Sequence, residues 1–519
     1  IEQGKADIFH DLSEEVICRC GNSVVIKRID DQWFIKYSDP ELTERSKEQA
    51  KEMKIYPKEY HENMPAVLDW FQDRACARLG NWLGSKFPFD DKWTIEPISD
   101  STLYPAYYIV AKFVKNGTLK TEDLTEEFFD YVYLGNGEGQ ETWKQVKSEF
   151  DYFYPLDINL GGKEHKTVHF PVFLMNHVAI LPEEKWPQGI FVNWWVTGKG
   201  SKISKSKGGA EPIPNAIQKF GVDAMRLYYA HIGSPHIDVV WEEDVVANYK
   251  NALERVYTLV EDLRKIDGKK SSIDLWLLSK CYKNLRQINQ SMEKYDLREL
   301  ASNTYFAIYD DLKWYTRRGG ANKQAISEVL NIWCKLLNPL TPHLSEELNS
   351  LANNKELVST SLWPKVDEEK ISLKAEANEE LVKNTLEGMR NVLKLAKLEK
   401  ASKYTLFVAE SWMYELFTLL SAEIKVTRNV GEIMKKVLEQ EGMKIKGKEV
   451  SKIVPAVVKD VSKLPSMVTS QEDEFKVMQE SKEFLEKEFS CSIEIIKGEG
   501  SDNPKAKSAW PGKVGILVE

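Results

Sequence analysis

Twelve residues, Gly198-Lys199-Gly200-Ser201-Lys202-Ile203-Ser204-Lys205-Ser206-Lys207-Gly208-Gly209, hold four lysines, three serines, four glycines and one apolar side chain. Glycine lets a backbone approach a ligand closely. Lysine brings a mobile point charge suited to phosphate oxygens, and serine adds hydroxyl donors. The chemistry this composition suits is stabilisation of charge as it develops on a polyphosphate. The same composition also describes a solvated basic loop, so the surroundings decide. Two more stretches have chemical content. Gly161-Gly162-Lys163-Glu164-His165 places a carboxylate just past a Gly-Gly turn, an arrangement that suits a ribose, whose two hydroxyls a carboxylate accepts. Ser99-Asp100-Ser101-Thr102 is a hydroxyl-rich cluster following the apolar run Trp93-Thr94-Ile95. His165 and His169 are four apart and are expected on one helical face. H-x-x-x-H without a third ligand is a weak metal signal.

These stretches need strands to deliver them. Tyr154 to Leu160 reads as a strand feeding the Gly-Gly turn, with a helix carrying His169, Asn176 and His177 after it. Gly189 to Val196 reads as a strand delivering the chain into the lysine loop, and Asn215 to Tyr229 as the helix that follows. Strand, polar loop, then helix is the order in which α/β folds place ligand sites. Further upstream, Val24-Val25-Ile26 and Gln32 to Tyr37 read as strands and residues 41–70 as helical; residues 118–153 are acidic and helical. From Asn248 to Ser402 apolar residues recur at helical spacing, for example Leu253, Val256, Leu259, Val260 and Leu263. That predicts an antiparallel bundle with Trp333, Leu336, Leu337, Leu340 and Leu344 in its core. Residues 403–519 read as a small α+β domain, with strands at Thr405–Ala409, Ile424–Val426, Ser490–Ile496 and Gly515–Val518. Within it, 428–463 is rich in lysine, including Lys444, Lys446 and Lys448. Such a face is a solvated helix surface or a contact for backbone phosphates.

The chain has 519 residues and a net charge of −9, which does not exclude nucleic acid because local patches decide. Its six cysteines are too few and too scattered for a disulfide framework, which fits the cytoplasm. Cys18 and Cys20 form a C-x-C-G turn, either between strands or as half of a zinc knuckle. No apolar run is long enough to span a bilayer.

Lys202-Ile203-Ser204-Lys205-Ser206 resembles the KMSKS signature of class I aminoacyl-tRNA synthetases, with Ile for Met. Phe220-Gly221-Val222-Asp223-Ala224-Met225-Arg226-Leu227 resembles the helix that follows the signature in the Leu/Ile/Val subgroup. Asp238 and Trp241 resemble its D-x-x-W. Glu96 to Tyr108 is similar to a segment of the leucyl-type enzymes of archaea and eukaryotes, and Cys18-Arg-Cys20-Gly with Gln32-Trp33-Phe34-Ile35 to the return from their editing insertion. The resemblance covers essentially the whole chain. It implies an α/β fold class: the second half of a class I Rossmann-like catalytic domain, then an anticodon-binding-type helical bundle and a small α+β C-terminal domain. The expected division is a return segment at 1–40, the catalytic half at 41–247, the bundle at 248–402 and the C-terminal tRNA-binding domain at 403–519.

The roles implied are those of a leucine–tRNA ligase acting with ATP and Mg²⁺ on leucine and tRNA(Leu). Lys202 and Lys205 would be catalytic, neutralising ATP phosphates, with Ile203, Ser204 and Ser206 beside them. Gly162 and Glu164 would lie under the ribose and adenine, with His165 supporting the adenylate. Ser101, Tyr104 and His169 would line the leucine pocket. Lys444, Lys446 and Lys448 would contact tRNA. No metal ligand set is implied, and zinc at Cys18 and Cys20 stays open. Two departures stand out. The signature is followed by Gly208-Gly209 where the family has Gly-Asn, and a HIGH motif is missing, since His231-Ile232-Gly233-Ser234 only superficially resembles one. The chain therefore reads as roughly the C-terminal half of such an enzyme, with a separate N-terminal subunit or segment carrying HIGH and the editing domain as partner. The alternatives are an isoleucyl- or valyl-type enzyme and a non-catalytic tRNA-binding subunit.

Overall fold

The computed structural model describes residues 11–12, 14–18, 20–27, 29–198, 201–202, 212–233, 236–352 and 354–519. The chain divides into two compact units, Ile1–Pro212 with Ile232–Glu242, and Ile213–His231 with Glu243–Glu519.

The first unit is built on a three-stranded parallel sheet. After helix α1 (Pro40–Glu52) comes strand β1 (Lys54–Tyr56), then helix α2 (Lys58–Asp69). Helix α3 (Tyr104–Lys115), strand β2 (Asn159–Gly162), helix α4 (His169–Ile180) and strand β3 (Gly189–Asn193) follow. The sheet order is β1-β3-β2, with Ile55 beside Ile190 and Gly162 beside Asn193. Parallel strands need cover on both faces, and α4 supplies part of it: every side chain from Phe170 to Val178 is buried. A helix apolar all round is a core helix.

The chain continues through strand β4 (Val196–Gly198), strand β5 (Ser201–Lys202) and, after an excursion into the second unit, strand β6 (Val239–Val240). Here β4 is central, antiparallel to β5 and parallel to β6. Two short antiparallel ladders, Phe34–Ile35 with Arg74–Ala75 and Ala77–Leu79 with Trp93–Ile95, complete the unit.

The second unit begins with helices α5 (Ile213–Phe220) and α6 (Val222–Ile232). The bundle contains α7 (Glu243–Leu263), α8 (Ile273–Glu293), α9 (Ile308–Arg317), α10 (Lys323–Leu337), α11 (Pro342–Leu351) and α12 (Leu373–Leu395). Trp333, Leu336 and Leu337 are fully buried, Leu340 is buried and Leu344 packs against the same core. The C-terminal part has a three-stranded sheet with β7 (Lys403–Val408) in the centre, parallel to β8 (Ser492–Lys497) and antiparallel to β9 (Gly515–Val518). Its helices include α13 (Ser411–Val426), α14 (Val430–Leu438), α15 (Gly447–Lys459) and α16 (Gln471–Phe489).

Several local expectations are corrected. Residues 41–70 are not helical throughout. Pro57 lacks an N–H and cannot continue a helix, and Ile55 is buried in the sheet edge strand β1. The Gly189–Val196 strand is broken at Trp194-Trp195 into β3 and β4. Asn215–Tyr229 is two helices, because Gly221 adopts φ +82°, a left-handed conformation that glycine takes without penalty. Ile424–Val426 is not a strand but the last turn of α13, where Met413, Phe417, Leu420 and Ile424 recur on one buried face. Val24-Val25-Ile26 is exposed and forms no strand, and only Phe34–Ile35 of the Gln32–Tyr37 stretch does.

A buried polar seam joins the bundle to α16. Arg318 donates from Nε to Glu379 Oε1 at 2.7 Å and from Nη2 to Ser481 Oγ at 2.9 Å, and Trp314 Nε1 donates to the same Glu379 oxygen at 2.7 Å. The two charged side chains are only 9% and 6% exposed. Removing one partner of such a pair strands the other. Arg318→Met is therefore expected to lower unfolding free energy in urea by about 3–5 kcal/mol. A loss below about 1 kcal/mol, the range of exposed pairs, would contradict this.

Candidate functional site

The Gly-Gly turn is where β2 ends. Residues Lys163–His165 form a 3₁₀ turn, and α4 starts four residues further on at His169. His165 and His169 therefore do not share one helix, yet their rings meet edge to face with centroids 5.0 Å apart. The backbone N–H of Gly162 donates to His165 Nδ1 at 3.1 Å. That nitrogen must offer its lone pair, which places the proton of the neutral ring on Nε2. Burial, and then the neighbouring His165, hold His169 below the usual histidine range. A Cβ on Gly162 would stand 2.6 Å from Glu164 Oε2, so the glycine leaves the room into which the carboxylate folds back over the turn.

One network then ties this turn to the approach of the lysine loop. Glu164 Oε2 accepts from Trp195 Nε1 at 2.8 Å. The backbone N–H of Trp195 donates to Asp238 Oδ1 at 3.0 Å, and Lys163 Nζ forms an ion pair with the same oxygen. The Lys163 ammonium lies 5.7 Å from the centroid of the Trp195 ring. The hydrogen bond from Lys163 is the main reason that the Asp238 carboxyl sits below the usual carboxylate range. Three segments distant in sequence are thus held together by one carboxylate. Asp238 leads into the bundle helix α7 at Glu243, as its D-x-x-W resemblance implies, and it also ties back to the Gly-Gly turn. Lys163 and Trp195 carry no sequence signal that marks them for this role.

Register places Lys202 opposite Thr197 on β4. The Lys202 side chain and all of Ile203, Ser204, Lys205 and Ser206 lie outside the described residues.

The Ser-Asp-Ser-Thr stretch is a short helix, Pro97–Ser101, running almost directly into α3. Glu96 caps it, accepting from Ile98 N–H at 2.8 Å, and pairs with Arg78 at 2.8 Å. Thr102 fixes the stretch to α4: its Oγ1 accepts from Asn176 Nδ2 at 2.9 Å, and Asn176 Oδ1 accepts from Tyr37 OH at 2.9 Å. Asn176 and His169 are seven residues apart, so they share one α4 face about two turns apart, roughly 10 Å. The structure thereby puts Ser101 and Tyr104 on the segment anchored to the His169 face. Asp100 is half-buried, with its pKa raised by burial and partly restored by the Tyr104 hydroxyl. Its Oδ1 has no hydrogen-bond partner among the described residues. A cavity of about 330 Å³ between Tyr37, Arg74, Glu96 and Val172 is lined by none of Ser101, Tyr104 and His169.

Elsewhere, Lys444 and Lys448 are exposed, whereas Lys446 pairs with Glu410 at 3.4 Å and lies 5.4 Å over the Trp412 ring. Cys18 and Cys20 sit in a turn closed by the Ile17–Ser23 bridge. Two thiols are half of a structural zinc site, and no cluster of three or more potential ligands occurs among the described residues. No helix among them is long and apolar enough to cross a membrane.

The helix α4 also carries a buried histidine. His177 Nδ1 bonds the Phe173 carbonyl at 2.7 Å, so it holds the proton, and Nε2 at 3.2 Å accepts from Tyr154 OH. Burial pulls its pKa down to about 4.

Residues 14–242 match the family of class I tRNA synthetases for isoleucine, leucine, methionine and valine, and residues 274–407 match the anticodon-binding domain of tRNA ligases. The leucine–tRNA ligase of Methanocaldococcus jannaschii is 37% identical over 534 residues, covering 100% of this chain and 55% of the relative. That of Archaeoglobus fulgidus is 35% identical over 530 residues, with the same coverage, 100% and 55%. The chain thus spans about half the length of the curated relatives it matches. A solved ternary complex from Agrobacterium radiobacter K84, titled agnB2 LeuRS-tRNA-LeuAMS, resembles it loosely, with TM-score 0.43 and 19% identity over 63% of this chain and 37% of that one.

The folded pKa of His177 lies below that of the unfolded chain, about 6.5. Its neutral burial therefore stabilises fully above about pH 6.5, and that stability is lost as pH falls toward 4. The stability advantage of the native chain over His177→Gln is expected to shrink by about 3 kcal/mol between pH 7 and 4, at 1.36 kcal/mol per unit. A pH-independent difference in urea unfolding would contradict the burial.

Proposed function

Because this chain belongs to the class I tRNA synthetases, with catalytic-domain sequence followed by an anticodon-binding domain, we propose that it activates leucine with ATP and ligates it to tRNA(Leu). It supplies the lysine-loop half of the active site and the RNA-binding parts. The observation that carries this is the Asp238 network, which joins the Gly162–His165 turn to the strand that leads into the lysine loop. Whole-chain similarity to two leucine–tRNA ligases supports reading that turn as the bed for ATP.

In this reading Gly162 lets the backbone approach the ribose and adenine, Glu164 accepts from ribose hydroxyls and His165 supports the adenylate. The neutral His169, with Ser101 and Tyr104, borders the leucine side chain. The leucine carboxylate attacks the α-phosphorus. A carboxylate–phosphorus bond forms, and the bond to pyrophosphate breaks. Lys202 and Lys205, in the stretch with Ile203, Ser204 and Ser206, are assigned to neutralising the charge that gathers on the pyrophosphate. Mg²⁺ bound with ATP would share that charge. No general base is required, because the carboxylate is already ionised. Lys444, Lys446 and Lys448 offer the C-terminal part a phosphate contact, with Lys446 having to leave Glu410 to do so. The protein works in the cytoplasm, with a partner subunit or segment carrying HIGH and the editing domain.

The test combines the chain with the N-terminal part of an archaeal leucine–tRNA ligase and measures leucine-dependent ATP–pyrophosphate exchange. Exchange is expected, and Lys205→Ala is expected to lower its kcat by about 10²–10³. Exchange that appears and is untouched by Lys205→Ala would remove the catalytic assignment. tRNA binding without any exchange would instead establish a non-catalytic subunit.

A further inference from the structure

Between Phe170 and Val178 every side chain of α4 is buried, and only Asn176 and His177 are polar. His177 is accounted for by the Phe173 carbonyl and the Tyr154 hydroxyl. Asn176 is 7% exposed. Burying an amide costs free energy unless its hydrogen bonds are made. A leucine would pack at this position without that cost, so the reason for the asparagine lies in its partners.

Those partners form a chain of hydrogen bonds with one direction. Thr102 Oγ1 donates to the Ile98 carbonyl at 3.3 Å, which commits its only proton. It can then only accept from Asn176, so the amide presents Nδ2 to it, at 2.9 Å. Oδ1 is left facing Tyr37, whose hydroxyl donates to it at 2.9 Å. Burial pushes that hydroxyl up to about 12, so it stays a donor at neutral pH. Tyr37 and Thr102 are buried too. Only an amide offers an acceptor to one neighbour and a donor to the other. Ser101 and Tyr104 flank Thr102 in sequence, and His169 precedes Asn176 by seven residues on α4. Asp100 is no substitute anchor, since its Oδ1 has no hydrogen-bond partner among the described residues. The relay is therefore what fixes the hydroxyl-rich segment against α4.

We propose that Tyr37, Asn176 and Thr102 are positioning residues that set how far the Ser101–Tyr104 segment stands from the His169 face of α4, and thereby the reach of the pocket for an aliphatic amino-acid side chain. The pocket half of this rests on the function proposed above. The relay itself does not. Cutting the relay withdraws a wall that only the far end of the substrate reaches. The δ-methyls of leucine reach it, whereas valine, one methylene shorter, stops before it. One methylene is the scale on which such a pocket discriminates.

The test uses the full chain combined with the N-terminal part of an archaeal leucine–tRNA ligase, and reads ATP–pyrophosphate exchange with leucine and with valine. Thr102→Val is expected to lower kcat/KM for leucine about tenfold, through KM, the loss of about one hydrogen bond. Its kcat/KM for valine and its KM for ATP are expected to stay as in the native chain. Thr102→Ser, which keeps the hydroxyl, is expected to recover most of the loss. Tyr37→Phe is expected to cost leucine about threefold by itself, and nothing further when added to Thr102→Val, because the relay is already cut. An equal fall for leucine and valine, or no change for either, would overturn the positioning role. Amide hydrogen exchange on the full chain alone tests the relay without the chemistry. Residues 97–104 are expected to exchange about tenfold faster in Thr102→Val and to return toward the native rate in Thr102→Ser, while 58–69 are unchanged. Should Thr102→Val also loosen 58–69, Tyr37→Phe carries the same comparison. Unchanged exchange at 97–104 would overturn the relay. If the native chain with its partner gives no leucine-dependent exchange of pyrophosphate, the proposed function falls, and the hydrogen-exchange comparison still decides the relay.

Discussion

The Asp238 carboxylate is the constraint on which the first unit's site depends. It takes the Lys163 ammonium and the Trp195 backbone N–H on one oxygen, and Trp195 in turn holds the Glu164 carboxylate. Without it, the Gly162–His165 turn would keep a free lysine beside its glutamate, and the strand leading to the lysine loop would lose its link to that turn. Gly162 leaves room for that arrangement. The glutamate folds back across the place a side chain would occupy. Backbone, carboxylate and indole form one preorganised surface, which is what stabilising a bound nucleotide requires.

The second unit follows a related logic with a different purpose. Its charges sit on helix ends and on a buried seam. Asp223 and Arg226 fasten α6 to the α10–α11 corner, and Arg318, paired with Glu379 of α12, fastens the bundle to α16 through Ser481. Such interactions contribute modest net stability but restrict how helices can slide.

Much of this was legible in the sequence because its signals were local. Gly-Gly after a strand, the hydroxyl cluster after Ile95 and helical spacing through the bundle each depend on neighbours a few residues away. The buried Trp333 and its leucine neighbours followed from period alone. What was not legible depends on distance. The tie between Lys163 and Asp238 spans 75 residues, and that between Arg226 and Leu340 spans 114. No periodicity encodes either. Strand β1 was hidden because three residues between two helices give too little alternation to register, and its identity comes from the sheet it joins. Ile424–Val426 misled for the opposite reason. A β-branched run looks like a strand, but burial of the α13 face outweighed propensity. Lys446 shows the limit of reading charge as a surface, since Glu410 and Trp412 hold it against the protein.

We propose that a nucleotide lies on the Gly162–His165 turn held by Asp238. Trp195 reports on it directly, through its indole N–H on Glu164. Fluorine NMR of the fluorotryptophan-labelled chain, with the Trp195 resonance assigned by Trp195→Phe, would be followed during titration with Mg-ATP. The account predicts a saturable shift of the Trp195 resonance that Asp238→Asn weakens. A Trp195 resonance that stays fixed while ATP demonstrably binds would contradict it.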